Sequence, residues 1–204
     1  MEVPLADLAH TAVRLESSSD EALRFVAGEI RLVELGIVRS GQAGSGDRIG
    51  AILWRRLATE AALRLAWIAG ENLEGDASGR LRVDSDEARE RIARMRARDI
   101  RQLTGAYRAI RDDGSADPNV VAGLDQLAAR LSENPAPVSL RELAVNKPQR
   151  ALYSQHRVCS TLIHPGAAIG DARAFERMVG GLDELTVLAT AIATALAGAL
   201  TVSR

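Results

Sequence analysis

Apolar residues recur along most of this chain at three- and four-residue steps, the spacing that lines one face of an α-helix. Leu5, Leu8, Ala9, Ala12 and Leu15 form the first such stripe. Ser17-Ser18-Ser19-Asp20 interrupts it and caps a second helix, Glu21 to about Val38, with Leu23, Val26, Ala27, Ile30, Val33 and Ile37 facing inward. After the flexible connection SGQAGSGD, residues 40–47, a third helix is predicted from Asp47 to about Gly70, with Ile49, Ile52, Leu53, Leu57, Leu63 and Trp67 as its inner stripe. Arg56 and Glu60 lie four apart on it, as do Glu60 and Arg64, the spacing of ion pairs along a helix surface.

A Gly-, Asn- and Asp-rich loop, residues 70–80, precedes a long helix that starts in the acidic run Asp84-Ser85-Asp86-Glu87 and continues to about Ile110. Eight arginines and five acids alternate between Arg80 and Arg101, while apolar positions are sparse (Ile92, Met95, Ile100, Leu103, Tyr107). This mixture predicts a solvated, peripheral helix. A shorter helix follows from Val120 to Leu131, then a brief turn at Leu140 to Val145. The last helix is expected to begin near Ile169 or Asp171, with Gly180-Gly181 as a bend. Its end, Leu185 to Val202, is 18 residues without a charge. That is the lower edge for a membrane span, but Ala and Thr dominate it, which favours a core or subunit-interface helix over a membrane one.

The pattern specifies an all-α, single-domain antiparallel helical bundle, with residues 1–46 as amino-terminal helices within or packed on it and residues 47–204 as the main helical domain. Composition agrees. The chain is 47% hydrophobic but only 3% aromatic, so its core must be built from Ala, Leu, Val and Ile, which suits closely packed helices better than sheets. Twenty-six basic against 27 acidic residues exclude a strongly basic nucleic-acid footprint. Lys147 is the only lysine. The single cysteine, Cys159, excludes an internal disulfide and a cysteine metal cluster, and the amino terminus has no secretory pattern, so a cytoplasmic protein is expected.

One stretch carries candidate chemistry: QRALYSQHRVCSTLIHPG, residues 149–166. Read as helix, it aligns Tyr153, Arg157, Ser160 and His164 at steps of four, three and four, with Pro165-Gly166 stopping it just after His164. Arg157 suits phosphate or carboxylate, His164 suits proton transfer, and Ser160 suits positioning by a hydrogen bond. His156 points about 100° away from Arg157 and marks a neighbouring surface. Each residue also has a plain structural reading: a solvated arginine, a serine bonded back to its own helix, a histidine complementing the helix end. No HExxH, phosphate loop, dinucleotide fingerprint or nucleophile elbow is present, so neither metal nor cofactor is expected.

The segment HRVCSTLIHPG, residues 156–166, resembles the Tyr-Arg-x-x-Ser-x-x-x-His-Pro signature of a bacterial helical family, the DUF5677 group, which in turn is similar to HEPN domains. Arg157, Ser160, His164 and Pro165 match it, while His156 stands where that family commonly has tyrosine. Arg56 and Glu60 likewise resemble its Arg-x-x-x-Glu segment. The resemblance implies a HEPN-like fold and a homodimer with Arg157 and His164 at a dimer cleft. It further implies metal-independent RNA cleavage in a defence or toxin–antitoxin setting, with a cognate antitoxin or other protein as partner. The alternative is a non-enzymatic interaction or scaffold protein in which Arg56, Glu60, Arg157 and His164 form a structural polar network.

Overall fold

A computed structural model of the chain describes residues 2–43, 47–70, 81–112, 117–131, 138–145, 147–163 and 181–202. Among these residues the protein is an all-helical bundle: α1 (Glu2–Glu16), α2 (Glu21–Gln42), α3 (Arg48–Ala69), α4 (Ser85–Asp112), α5 (Pro118–Leu131), α6 (Lys147–Ile163) and α7 (Leu182–Val202). Local chemistry sets several of these ends. Asp20 caps α2 by accepting a 2.8 Å hydrogen bond from Ala22 N–H, and Asp47 caps α3 through Gly50 N–H at 2.9 Å. Gly70 closes α3 at φ 113°, a backbone region where a side chain is disfavoured.

One continuous core joins α1, α2, α3, the first half of α4, α6 through Leu152, and α7, with Val138 and Leu143 added from the segment before α6. Leu8 and Leu15, Val26, Ile30 and Val33, Leu63 and Leu65, Ile92 and Met95, and Ile192, Leu196 and Leu200 are among its fully buried members. The amino-terminal helices therefore share the core rather than sitting outside it. On α2 all six residues of the expected stripe are buried.

The third helix departs from its expected stripe. Ile49 and Leu53 are 50% and 45% exposed, whereas Ala51, Ala58, Ala61, Ala62 and Ala66 are buried with Ile52, Leu63 and Trp67. From Ala61 to Gly70 every residue but Arg64 is buried, because α2, α4, α6 and α7 all pack around it. A helix enclosed on so many sides selects small residues over a single apolar stripe. Its tightest approach is to α2 at Gly36, where a Cβ would lie 2.6 Å from the Trp54 carbonyl oxygen and 2.7 Å from Ala58 Cβ.

The arginine-rich fourth helix is likewise not peripheral along its whole length. Ala88, Ile92, Met95, Ala97 and Arg98 are buried, and only beyond Ile100 does it become mostly exposed, where α5 packs on it. Its arginines are structural ties. Arg89 reaches the capping Asp20 at 2.8 Å and the Leu200 carbonyl at 3.3 Å, and Arg96 meets Glu21 at 2.6 Å. Arg91 and Arg94 stand over the Trp67 ring at 5.6 and 5.4 Å.

In α7, the 20 residues Leu182–Thr201 are long and apolar enough to cross a membrane, with a mean hydropathy of 1.6 in an 18-residue window. Here Leu185, Ala189, Ile192, Ala193, Leu196, Ala197 and Leu200 pack into the core. The expected start of the last helix near Ile169 or Asp171 lies outside the described residues.

Gly36→Ala is expected to destabilise the protein by about 1–3 kcal/mol, because the nearest obstacle is a backbone carbonyl that cannot rotate away. Gly28→Ala, on the same helix with no atom within 4 Å of the added carbon, is expected to stabilise by about 0.5–1 kcal/mol. Urea unfolding of the two variants checks both signs. Equal shifts would contradict the close α2–α3 approach.

Candidate functional site

The sixth helix has two chemically distinct faces. Its inner face, Gln149, Leu152, His156 and Cys159, is buried and seated on α3. Its outer face exposes Arg150, Ser154, Arg157, Val158 and Thr161.

At the start of the inner face, Gln149 is fully buried. Its side-chain nitrogen donates to the Ala66 and Gly70 carbonyls at 3.1 and 3.3 Å, and its oxygen accepts from Val145 N–H at 2.9 Å. It thereby satisfies carbonyls at the end of α3 that have no partner within their own helix.

Two turns on, His156 is 6% exposed and meets α3 in a polar seam. Its Nε2 lies 3.2 Å from Glu60 Oε2 and 3.4 Å from Arg56 Nε. One ring nitrogen cannot donate to the carboxylate and accept from the guanidinium at once. The shorter carboxylate contact places the proton on Nε2, aimed at Glu60, and leaves Arg56 as a neighbouring charge. Glu60 also faces Arg98 at 3.8 Å. The His156 hydrogen bond holds the Glu60 carboxyl below the usual carboxylate range, with Arg98 and Arg64 adding to the effect against partial burial.

The seam continues inward. Arg64 pairs with Glu29 of α2 at 3.1 Å and with Asp99 of α4. Glu29 Oε2 and Arg64 Nε are buried without a hydrogen-bond partner. Burial pushes the Glu29 carboxyl up to about 7 even though Arg64 is attached to it, and Asp99 and Glu60 push the same way.

Arg56, Glu60 and His156 are thus brought together, and His156 lies in the helix interface rather than on the neighbouring surface expected for it. Neither i,i+4 pair expected along α3 forms, since Glu60 turns to His156 and Arg98 while Arg64 turns to Glu29 and Asp99. Arg157 stands apart on the exposed face. Tyr153 is half-buried against the core, and Ser160 donates back to the His156 carbonyl at 2.9 Å. His164, with Pro165 and Gly166, lies outside the described residues. Among the described residues no group of three His, Cys, Asp or Glu side chains is placed to hold a metal ion.

The expected set did not include Gln149, Glu29, Arg98 or Asp99. Glu29 carried a sequence signal: it sits between Val26 and Ile30 of the α2 stripe, where a charge needs a partner from another helix.

Glu29 has a readable pH signature. Its folded-state pKa lies above the unfolded carboxylate range, so its stabilising contribution is full below about pH 4 and is lost as pH rises through about 7. Glu29→Gln, which resembles the protonated form, should gain stability over the wild type between about pH 5 and 8, by on the order of 1–3 kcal/mol. Parallel urea-unfolding profiles across that range would refute this.

The chain matches no protein-family model, no curated protein and no solved structure.

Proposed function

We propose that this protein is a HEPN-like RNA-acting domain related to the DUF5677 group, an antiparallel bundle that works in the cytoplasm as a metal-independent endoribonuclease. The observation that carries this reading is the division of labour on α6. Its inner face is pinned to α3 by Gln149 and His156, while Arg157 is left exposed on the outer face. His164 stands seven residues after Arg157 in the sequence. A rigidly seated helix presenting an arginine outward suits a phosphate-bearing substrate.

In this reading two copies of the chain pair so that their α6 outer faces line one cleft. A ribose 2′-oxygen attacks the adjacent phosphorus and gives up its proton to His164. The bond from phosphorus to the 5′-oxygen breaks, and the leaving oxygen takes a proton. The products are a 2′,3′-cyclic phosphate and a 5′-hydroxyl, with no metal or cofactor entering the balance. Arg157 neutralises charge that develops on the phosphate. The setting is a defence or toxin–antitoxin system, with a cognate antitoxin or other protein as partner.

A second reading is favoured by a specific contact, the His156–Glu60 pair in the seam. It makes the Arg56, Glu60 and His156 cluster a structural network of a non-enzymatic scaffold protein.

Incubation of single-stranded RNA with the protein in excess EDTA separates the two. Cleavage by the wild type that falls by about 10²–10⁴-fold in His164→Ala supports the nuclease. Equal cleavage by both proteins, or none by either, refutes this mechanism.

A further inference from the structure

Among the described helices, α6 alone carries no carboxylate: KPQRALYSQHRVCSTLI holds Lys147, Arg150 and Arg157 against no Asp or Glu. Each of the other helices has at least one acid. In a chain whose acids and bases nearly balance, a helix of one sign sets up a local positive field. Its two arginines are also placed alike. Residues 150–156 and 157–163 repeat one pattern: Arg150 and Arg157 are each followed by an exposed apolar residue (Ala151, Val158) and a buried one (Leu152, Cys159), with a hydroxyl four positions on (Ser154, Thr161). Seven residues make almost two helical turns, so the two repeats share one face with only about 20° of drift.

Many arginines of this chain are used up in its fold. Arg31, Arg64, Arg89, Arg96 and Arg108 each meet a carboxylate. Arg150 and Arg157 are exposed and meet none among the described residues. Glu60, the one acid of the helix on which α6 is seated, is turned inward to His156 and does not neutralise the outer face. Thr161 donates back to the Arg157 carbonyl at 3.0 Å, which leaves the exposed Ser154 as the free hydroxyl donor of the stripe among the described residues.

We propose that the outer face of α6 is a track for single-stranded RNA, on which Arg150 holds a second phosphate and positions the strand for reaction at Arg157. The inference rests on the reading of Arg157 as a phosphate contact and extends it to a substrate class. The two arginines are about 10.5 Å apart along the helix axis, a separation that a flexible single strand spans with one phosphate on each guanidinium. Ser154 donates to the phosphate held by Arg150. Ala151 and the 46% exposed Val158 give sugars and bases an apolar edge beside the charged one. The cations form one line, which serves one backbone; a duplex presents a second backbone for which this face has no second line. Contacts to phosphates carry no sequence information, so the track selects single strands without a fixed sequence.

Fluorescence anisotropy of the full chain with a labelled 2′-O-methyl oligouridylate in EDTA tests the track, because this probe has the phosphates but no 2′-hydroxyl to attack them. Arg150→Gln should weaken binding by roughly five- to thirtyfold and flatten the slope of log affinity against log salt by about 0.7 per chain. Arg150→Lys, which keeps the charge without the fork, should keep the slope and lose part of the affinity. Arg14→Gln, which removes an exposed arginine from α1, should bind like the wild type. A duplex of the same length should bind more weakly than the single strand. In RNA cleavage Arg150→Gln should raise KM and leave kcat within about twofold, whereas Arg157→Gln should lower kcat. Binding that depends on Arg150 without any cleavage would keep the track and remove the nuclease reading. Cleavage with unchanged affinity and salt slope in Arg150→Gln would overturn the track and keep the nuclease. No binding of the oligouridylate, equal weakening by Arg14→Gln, or tighter binding of the duplex would also overturn the proposal.

Discussion

The structure depends on a conflict within α3: the helix is enclosed by four others, yet carries Arg55, Arg56, Glu60 and Arg64 in its middle. Burying a charge without a partner costs more than most single packing contacts return, so each of these side chains constrains what can pack beside it. Arg64 lies between acids of two different helices, Glu29 and Asp99, and Glu29 reaches it only at the cost of its own burial. Glu60 requires a donor and finds His156 on α6. The polar seam therefore sets register and partner choice, while the alanines of α3 supply the close approach that lets the contacts form. Apolar burial alone would tolerate α6 sliding by a turn. The Glu60–His156 contact, together with Gln149 at the end of α3, does not.

This division also explains which features were legible from the residues. The α2 stripe was readable because α2 keeps a solvent face, so its apolar and polar positions separate cleanly. The α3 stripe was not, since a helix covered nearly all round leaves no polar side to define the apolar one, and small residues carry its burial. Ion pairs were misread for a related reason. Spacing of four residues makes Arg56–Glu60 and Glu60–Arg64 look like surface pairs, but partners on other helices, out of sight of any local pattern, compete for the same charges. On α6 the helical period correctly separates His156 from Arg157. Which of the two faces inward depends on α3, and the period cannot say. The arginines of α4 were expected to be solvated, whereas Arg89, Arg91 and Arg98 are consumed in tying helices together.

The seam and the proposed nuclease site stand in a definite physical relation. A phosphate-stabilising arginine must be held in place by groups that do not themselves bind substrate, and the inner face of α6 meets that need. Arg157 extends from a helix whose opposite side is fixed by Gln149, Leu152, His156 and Cys159. The same inner face is what a pure scaffold would require, so its strength is common to both readings, and only the outer face differs between them.

The central claim is that the Glu60–His156 contact fixes α6 on α3, and a double-mutant cycle with Glu60→Gln and His156→Ala measures it most directly. Urea unfolding of the wild type, both single variants and the double variant should return a coupling of about 1–3 kcal/mol. Amide exchange along Lys147–Ile163 should quicken in each single variant. Additive effects with no coupling, and unchanged exchange along that helix, would contradict the account.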